Sequence, residues 1–159
     1  MQFYTIGVYN STEKEFFEKL KKNGIDTLCD IRQIRGVRGA KYAFVNSARL
    51  QKQLAEAGIQ YFYARDLSPT TDIRMIQKDL DAKKGIQQRT RTLLDISFIK
   101  EYTEKVLVNF NFDEFITQLM SIDAHKIALF CVEEHHTACH RSIVADTLNE
   151  VYEFRVKHL

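Results

Sequence analysis

Proline occurs once in the 159 residues and cysteine three times, and no apolar run approaches the roughly 20 residues that a bilayer-spanning helix needs. Each scarcity excludes something. Three cysteines are an odd, sparse set, unsuited to a disulfide framework and in keeping with a reducing compartment. The first ten residues, MQFYTIGVYN, lack a basic segment followed by a long apolar one, so no secretory signal is visible. A one-sided charge is missing too: 23 Lys and Arg stand against 21 Asp and Glu, a net charge of +2, so the molecule is no polycation. Neither GxGxxG nor a phosphate-binding P-loop pattern occurs, and nucleotide binding has no motif support. What remains is a cytoplasmic protein without a membrane partner, a single domain over residues 1–159, large enough to bury its own core.

Apolar residues make up 45% of the chain and charged residues 28%, and their order alternates between two periods. Phe3–Val8, Ile25–Ile31, Ile59–Ala64 and His125–Val132 read as strands, with YEFRVKHL as a closing one. Between them, STEKEFFEKLKKNG and SARLQKQLAEAG read as helices, each with a Ser or Thr cap, an apolar stripe and a Gly stop. Pro69 breaks the chain at DLSPTTD; helical spacing then dominates from Ile73 to Met120, and TACHRSIVADTLNEV supplies a last helix capped by Thr137. Strands alternating with helices predict an α/β fold: a mainly parallel central sheet of about five strands with helices on both faces, a Rossmann-like three-layer arrangement. Ligands of such sheets gather beyond the C-terminal strand ends.

Two loops with that address carry unusual chemistry. After ALF comes CVEEHHTACHR, Cys131 to Arg141, with two thiols, two carboxylates, three imidazoles and a guanidinium in eleven residues. A thiol at Cys139, at a helix start and beside His140 and Arg141, is expected to favour its thiolate, the nucleophilic form. Glu133 is placed to orient His140 or carry a proton, and Arg141 to grip a carboxylate or phosphate through paired hydrogen bonds. Cys131 is either core or a resolving thiol, and Cys29 is core; burial of Cys139 with a structural Arg141 ion pair is the competing reading. Zinc is a rival, since Cys131, His135 and Cys139 are spaced four apart, but the second ligand pair of a structural zinc site is missing, and no metal or cofactor is expected. The cysteine-phosphatase spacing is absent as well: the residue six positions after Cys131 is Thr137.

The second loop, RQIRGVRGAKYAFVNSAR, carries five basic residues and no acidic one from Arg32 to Arg49. Asp30 and Arg32, two apart at a strand end, point the same way, and Asp30 is a candidate catalytic residue, either pairing with Arg141 or polarising a substrate hydroxyl. Gly36 and Gly39 make the loop pliant enough for Arg35, Arg38 and Lys41 to gather round an anion, with a solvated basic loop as the alternative. Tyr42 and Phe44 either stack a base or anchor the loop. A second acid-free basic stretch is KKGIQQRTR, Lys83 to Arg91.

Thr5-Ile6-Gly7, Asp30-Ile31-Arg32, Gly58-Ile59 with Tyr61, and above all Cys131-Val132-Glu133 followed by Cys139-His140-Arg141 resemble domain-of-unknown-function family 488. The resemblance covers residues 3–67 and 126–150 and implies an α/β fold with a shared site at Asp30, Arg32, Cys131, Glu133, Cys139, His140 and Arg141. It brings no activity with it. This chain departs from the family in having Val8-Tyr9 where His-Ser is usual, and in lacking paired glycines after Tyr63.

The functional expectation is an enzyme with a thiol-containing anion-binding site, a cysteine-dependent transferase or hydrolase, in which Cys139 is the nucleophile and His140 and Glu133 carry protons. Arg141 and Arg32 would hold a phosphorylated or otherwise anionic small molecule or nucleic acid. The alternatives are a nucleic-acid-binding or accessory module with a structural Cys-His-Arg motif, and a metal-dependent hydrolase. A homodimer paired through the closing strand is also open.

Overall fold

The computed structural model describes residues 1–159. Five strands, β1 (Gln2–Ile6), β2 (Thr27–Asp30), β3 (Gln60–Tyr63), β4 (Lys126–Phe130) and β5 (Val156–His158), form one sheet in the order β3-β2-β4-β1-β5. Every pairing is parallel. No helix is long and apolar enough to cross a membrane.

The three layers follow from side-chain alternation along the strands. Phe3, Cys29, Ile127 and Leu129 point to one face and join a core with Phe98, Tyr102, Phe115, Leu119, Val144 and Leu148. Those residues come from α4 (Ile96–Lys105), α5 (Phe112–Ser121) and α6 (His140–Glu150). Tyr4, Ile6, Leu28, Ala128 and Phe130 point the other way, onto Phe16 and Leu20 of α1 (Glu13–Lys22) and Leu50 and Leu54 of α2 (Ser47–Glu56). Strands buried on both faces read as the near-continuous apolar runs seen in the sequence.

Local chemistry sets the helix limits. Thr12 caps α1 with a full capping box: its hydroxyl accepts from Glu15 N–H at 3.2 Å and the Glu15 carboxylate accepts from Thr12 N–H at 2.7 Å. The expected Ser47 cap of α2 gives way to Asn46, whose side-chain oxygen instead accepts from Val37 N–H and ties down the basic loop. The long helical segment resolves into α3 (Thr71–Lys83), which starts just after Pro69, and then α4 and α5.

The strand order places the site. β4 lies at the centre of the sheet and sends the chain to α6 on one face, whereas its neighbours β1 and β2 send it to α1 and α2 on the other. A crevice therefore opens beyond the C-terminal end of β4, at a topological switch point.

Candidate functional site: a thiol–imidazole cluster at the end of the central strand

Past Phe130, the chain keeps pairing with the end of β1. Cys131 N–H donates to the Ile6 carbonyl at 3.3 Å, and Val8 and Tyr9 N–H both donate to the Val132 carbonyl at 3.2 and 2.9 Å. Gly7 is what permits this approach: a Cβ there would lie 1.9 Å from the Glu133 carbonyl oxygen and 3.1 Å from Arg141 Nη2. A short 3-10 turn, His136–Ala138, then leads into Cys139, which is extended (φ −141°, ψ 142°) and caps α6. The helix thus starts at His140, two residues later than a Thr137 cap would have it. Thr137 has other work: its hydroxyl donates to the Thr92 carbonyl at 2.6 Å and its own carbonyl accepts from Leu94 N–H at 3.0 Å.

Cys131, Cys139 and His140 come together with their donor atoms all within 4.8 Å of one another. His140 Nε2 lies 3.0 Å from the Ile31 carbonyl oxygen, which can only accept, so Nε2 carries a proton. Nδ1 is then left facing Cys139 Sγ at 3.7 Å and Cys131 Sγ at 4.0 Å. The imidazole edge also packs against the Tyr102 ring, centroids 5.5 Å apart, while the Tyr102 hydroxyl donates to the Leu67 carbonyl at 2.6 Å. Cys131 Sγ donates to Glu133 Oε2 at 3.1 Å. The Glu133 oxygen Oε1 accepts from Gln88 Nε2 at 2.9 Å and faces Arg91 Nη2 at 3.4 Å. Two sulfurs and an imidazole nitrogen so gathered would also suit one soft metal ion.

The two thiols are not equivalent. Burial pushes the Cys139 thiol up, but the neighbouring Cys131 thiol and the positive charges of His140 and Arg141 outweigh it and hold the thiol well below its ordinary range. Cys131 is driven well above that range by the neighbouring Cys139 sulfur, by burial and by the negative charges of Cys139 and Glu133. Burial lowers His140, and the charge and hydrogen bond of Cys139 reverse this, leaving the imidazole raised. Glu133 is raised by burial first and the Cys139 charge second. These shifts favour the thiolate at Cys139, the charged imidazole at His140 and the protonated carboxyl at Glu133.

A cavity of about 530 Å³ borders this cluster, whose thiols are nearly buried, Cys139 at 1% and Cys131 at 6% exposure. Cys131, Glu133, Cys139 and His140 form its floor, and α3 with the following loop supplies the opposite wall through Arg74, Lys78, Asp81, Gln88 and Arg91. Arg91 pins that wall: it donates to Asp81 Oδ2 at 2.7 Å and to the Ala138 carbonyl at 2.9 and 3.2 Å. Arg74 donates to Gln33 Oε1 at 2.7 Å, and neither Arg74 nor Lys78 pairs with a carboxylate. None of these wall residues belongs to a motif. The acid-free stretch from Lys83 to Arg91 was the only signal, and it contributes Gln88 and Arg91.

The expected anion-binding residues separate into two groups. Asp30 pairs with Arg32 rather than Arg141: Asp30 accepts from Arg32 Nε at 2.8 Å and Nη2 at 2.7 Å, and from the Tyr61 hydroxyl at 2.8 Å. Arg32 also donates to the Val45 carbonyl at 3.0 Å and lies over the Phe130 ring, so it touches the cavity while its donors face the protein. Arg141, 1% exposed, donates to the Glu133 and Glu134 carbonyls at 2.7 and 2.9 Å and leaves Nε unpartnered. It shapes the loop from beneath. The other group stands apart from the cavity: Arg35 stacks on Tyr63 and reaches the Tyr61 hydroxyl at 3.4 Å, and Arg38 and Lys41 are exposed. Tyr42 and Phe44 are buried, the anchoring alternative, with the Tyr42 hydroxyl accepting from Asn10 N–H.

A parallel three-layer α/β domain with a cysteine–histidine cluster beyond its central strand is the class that fold and site define. A family model described as domain of unknown function DUF488 matches residues 12–148, and the chain belongs to that family. The matched span holds Asp30, Arg32, Cys131, Glu133, Cys139, His140 and Arg141. No curated protein and no solved structure matches the chain.

Proposed function

We propose that the protein is a cysteine-dependent transferase or hydrolase acting on a substrate with an anionic, for example phosphorylated, group. The observation that carries this reading is the orientation of His140. With Nε2–H fixed on the Ile31 carbonyl, Nδ1 faces Cys139 Sγ at 3.7 Å, on the floor of an open cavity. A nucleophile, a base and a group that orients the base make up the geometry of covalent catalysis. The Cys139 thiolate attacks an electrophilic carbon or phosphorus, a sulfur bond forms, and the leaving group departs with the proton of the His140 imidazolium. Water or a second acceptor then displaces the sulfur, giving its proton to the imidazole or to Glu133. Cys139 is the N-cap of α6, so the positive end of that helix lies beside the charge that develops. Arg74 and Lys78 at the wall are the free cations for an anionic substrate, a task the sequence had given to Arg141 and Arg32. A nucleic acid would be a substrate here through its phosphates, with Arg38 and Lys41 outside the cavity.

The test is the alkylation rate of each cysteine against pH, mapped by peptide mass spectrometry on the native protein. Cys139 is expected to react fast with an apparent pKa clearly below the reference of about 8.5, and Cys29 to stay inert until denaturation. A Cys139 that reacts no faster than Cys29 overturns the reading. If chelation alone releases the reactivity of Cys131 and Cys139 together, the site is metal-dependent instead.

A further inference from the structure

We propose a second chemistry for this cluster: Cys139 and Cys131 form a peroxide-oxidised dithiol, in which Cys139 is the sulfur attacked and Cys131 the one that resolves it into a disulfide. The proposal rests on the nucleophilic reading of Cys139, and adds a co-reactant, a small hydroperoxide, and a product that reading does not contain.

Four observations support it. The two sulfurs lie within 4.8 Å of each other, against the roughly 2.05 Å of a bond, a gap the two side chains have to close. The chain between them is a surface turn, with Glu134, His135 and Thr137 exposed, whose backbone is held to the end of β1 at Val132 and to Arg141 at Glu133 and Glu134, so closure falls to the two side chains. Each thiol has its own proton partner: His140 Nδ1 is nearer Cys139, at 3.7 Å, and Glu133 Oε2 accepts from Cys131 at 3.1 Å. The cavity of about 530 Å³ that reaches both sulfurs admits hydrogen peroxide or a small alkyl hydroperoxide. Cys29 lies in the middle of β2 with no exposure and is no competitor.

The electrons balance within the pair. The Cys139 thiolate attacks the terminal oxygen of the hydroperoxide, the O–O bond breaks, and the departing alkoxide or hydroxide takes a proton from His140; Cys139 is now a sulfenic acid. Cys131 gives its proton to Glu133 and attacks the Cys139 sulfur. The S–S bond forms, the S–O bond breaks, and hydroxide leaves and is protonated to water. Two electrons pass from the dithiol to the peroxide. The disulfide removes the nucleophile, and a low-molecular-weight thiol would restore it.

The experiment exposes the reduced native protein to hydrogen peroxide and maps the cysteines by denaturing alkylation and peptide mass spectrometry, with native iodoacetamide labelling of the untreated protein run alongside. The expected product is a Cys131–Cys139 disulfide in most of the molecules, reversed by dithiothreitol, with Cys29 free. The Cys131→Ser variant is expected to accumulate instead a Cys139 sulfenic acid that dimedone traps. Cys139 that labels fast in the untreated protein but passes under peroxide to sulfinic acid, with Cys131 left free, overturns the pairing and leaves the nucleophile standing. Cys139 that labels no faster than Cys29 overturns both. Labelling of both thiols only after chelation overturns both in favour of a metal.

Discussion

His140 has one ring nitrogen available to the thiols because the other is held on the Ile31 carbonyl, and that division decides how the site responds to pH. The imidazole is raised above its ordinary value and Cys139 is lowered, each through the charge of the other, so both shifts favour the thiolate–imidazolium form. The alkylation rate of Cys139 is therefore expected to be flat through neutral pH rather than rising with it. Replacing His140 by Asn withdraws the positive charge that acts most strongly on the sulfur. The thiolate is then favoured less, its apparent pKa moves up, and the rate at neutral pH falls about tenfold for each unit by which that pKa comes to exceed the pH. Iodoacetamide kinetics from pH 5 to 9 on both proteins read this out, with a thermal melt to show that the variant is folded. Coincident profiles would remove His140 from the role. A Cys139 that stays buried against an uncharged imidazole would rise with pH in both proteins.

Among the elements, the meeting of two strand ends is what builds the loop, and Gly7 is the residue it depends on. A methyl at that position would sit 1.9 Å from the Glu133 carbonyl oxygen, so the ends of β1 and β4 must part before it fits. Gly7→Ala is expected to cost about 3 kcal/mol, which for a domain of this size lowers the Tm by roughly 6–12 °C. It should also slow Cys139 alkylation, since Arg141 and the Glu133 backbone move together. Calorimetry that finds the variant as stable as the parent would contradict the close packing. The same scale shows what the sequence made legible. Strand and helix periods were plain, so the five strands, their parallel arrangement and the crevice beyond β4 could be read from local pattern. Cys131, Glu133, Cys139 and His140 lie close together in sequence, from the end of β4 to the start of α6, and were found as one group. The start of α6 was misplaced because Thr137, a good cap in isolation, is taken by the Thr92 carbonyl, a contact between residues 45 apart in sequence. Asp30 was rightly placed beside Arg32, but that neighbour saturates it and leaves nothing for Arg141. Gln88 and Arg91 reach Glu133 only because α3 and its loop fold over the strand end, and no local period carries that information.

For the molecule as a whole, a net charge of +2 conceals how the cations are distributed. Arg32 and Arg91 are matched by buried carboxylates and Arg141 by carbonyls, so none adds much attraction for a solute. Arg35, Arg38 and Lys41 stand outside the cavity. Arg74 and Lys78 are the cations at its wall without a carboxylate partner, and an anion approaching Cys139 passes them. Two alkylating agents of similar size and opposite character test this without a known substrate. Anionic iodoacetate is expected to gain on neutral iodoacetamide at Cys139, and the ratio of their rates to fall about twofold for each cation removed in Arg74→Ala and Lys78→Ala at low salt. Added salt should shrink the ratio in the parent and leave it nearly unchanged in the double variant, because these charges face water and are screened. Both variants keep His140 and Arg141, so iodoacetamide alone reports whether the thiolate survives. A ratio indifferent to both substitutions and to salt would mean that the cavity does not select for negative charge, and the substrate would then be sought among neutral electrophiles.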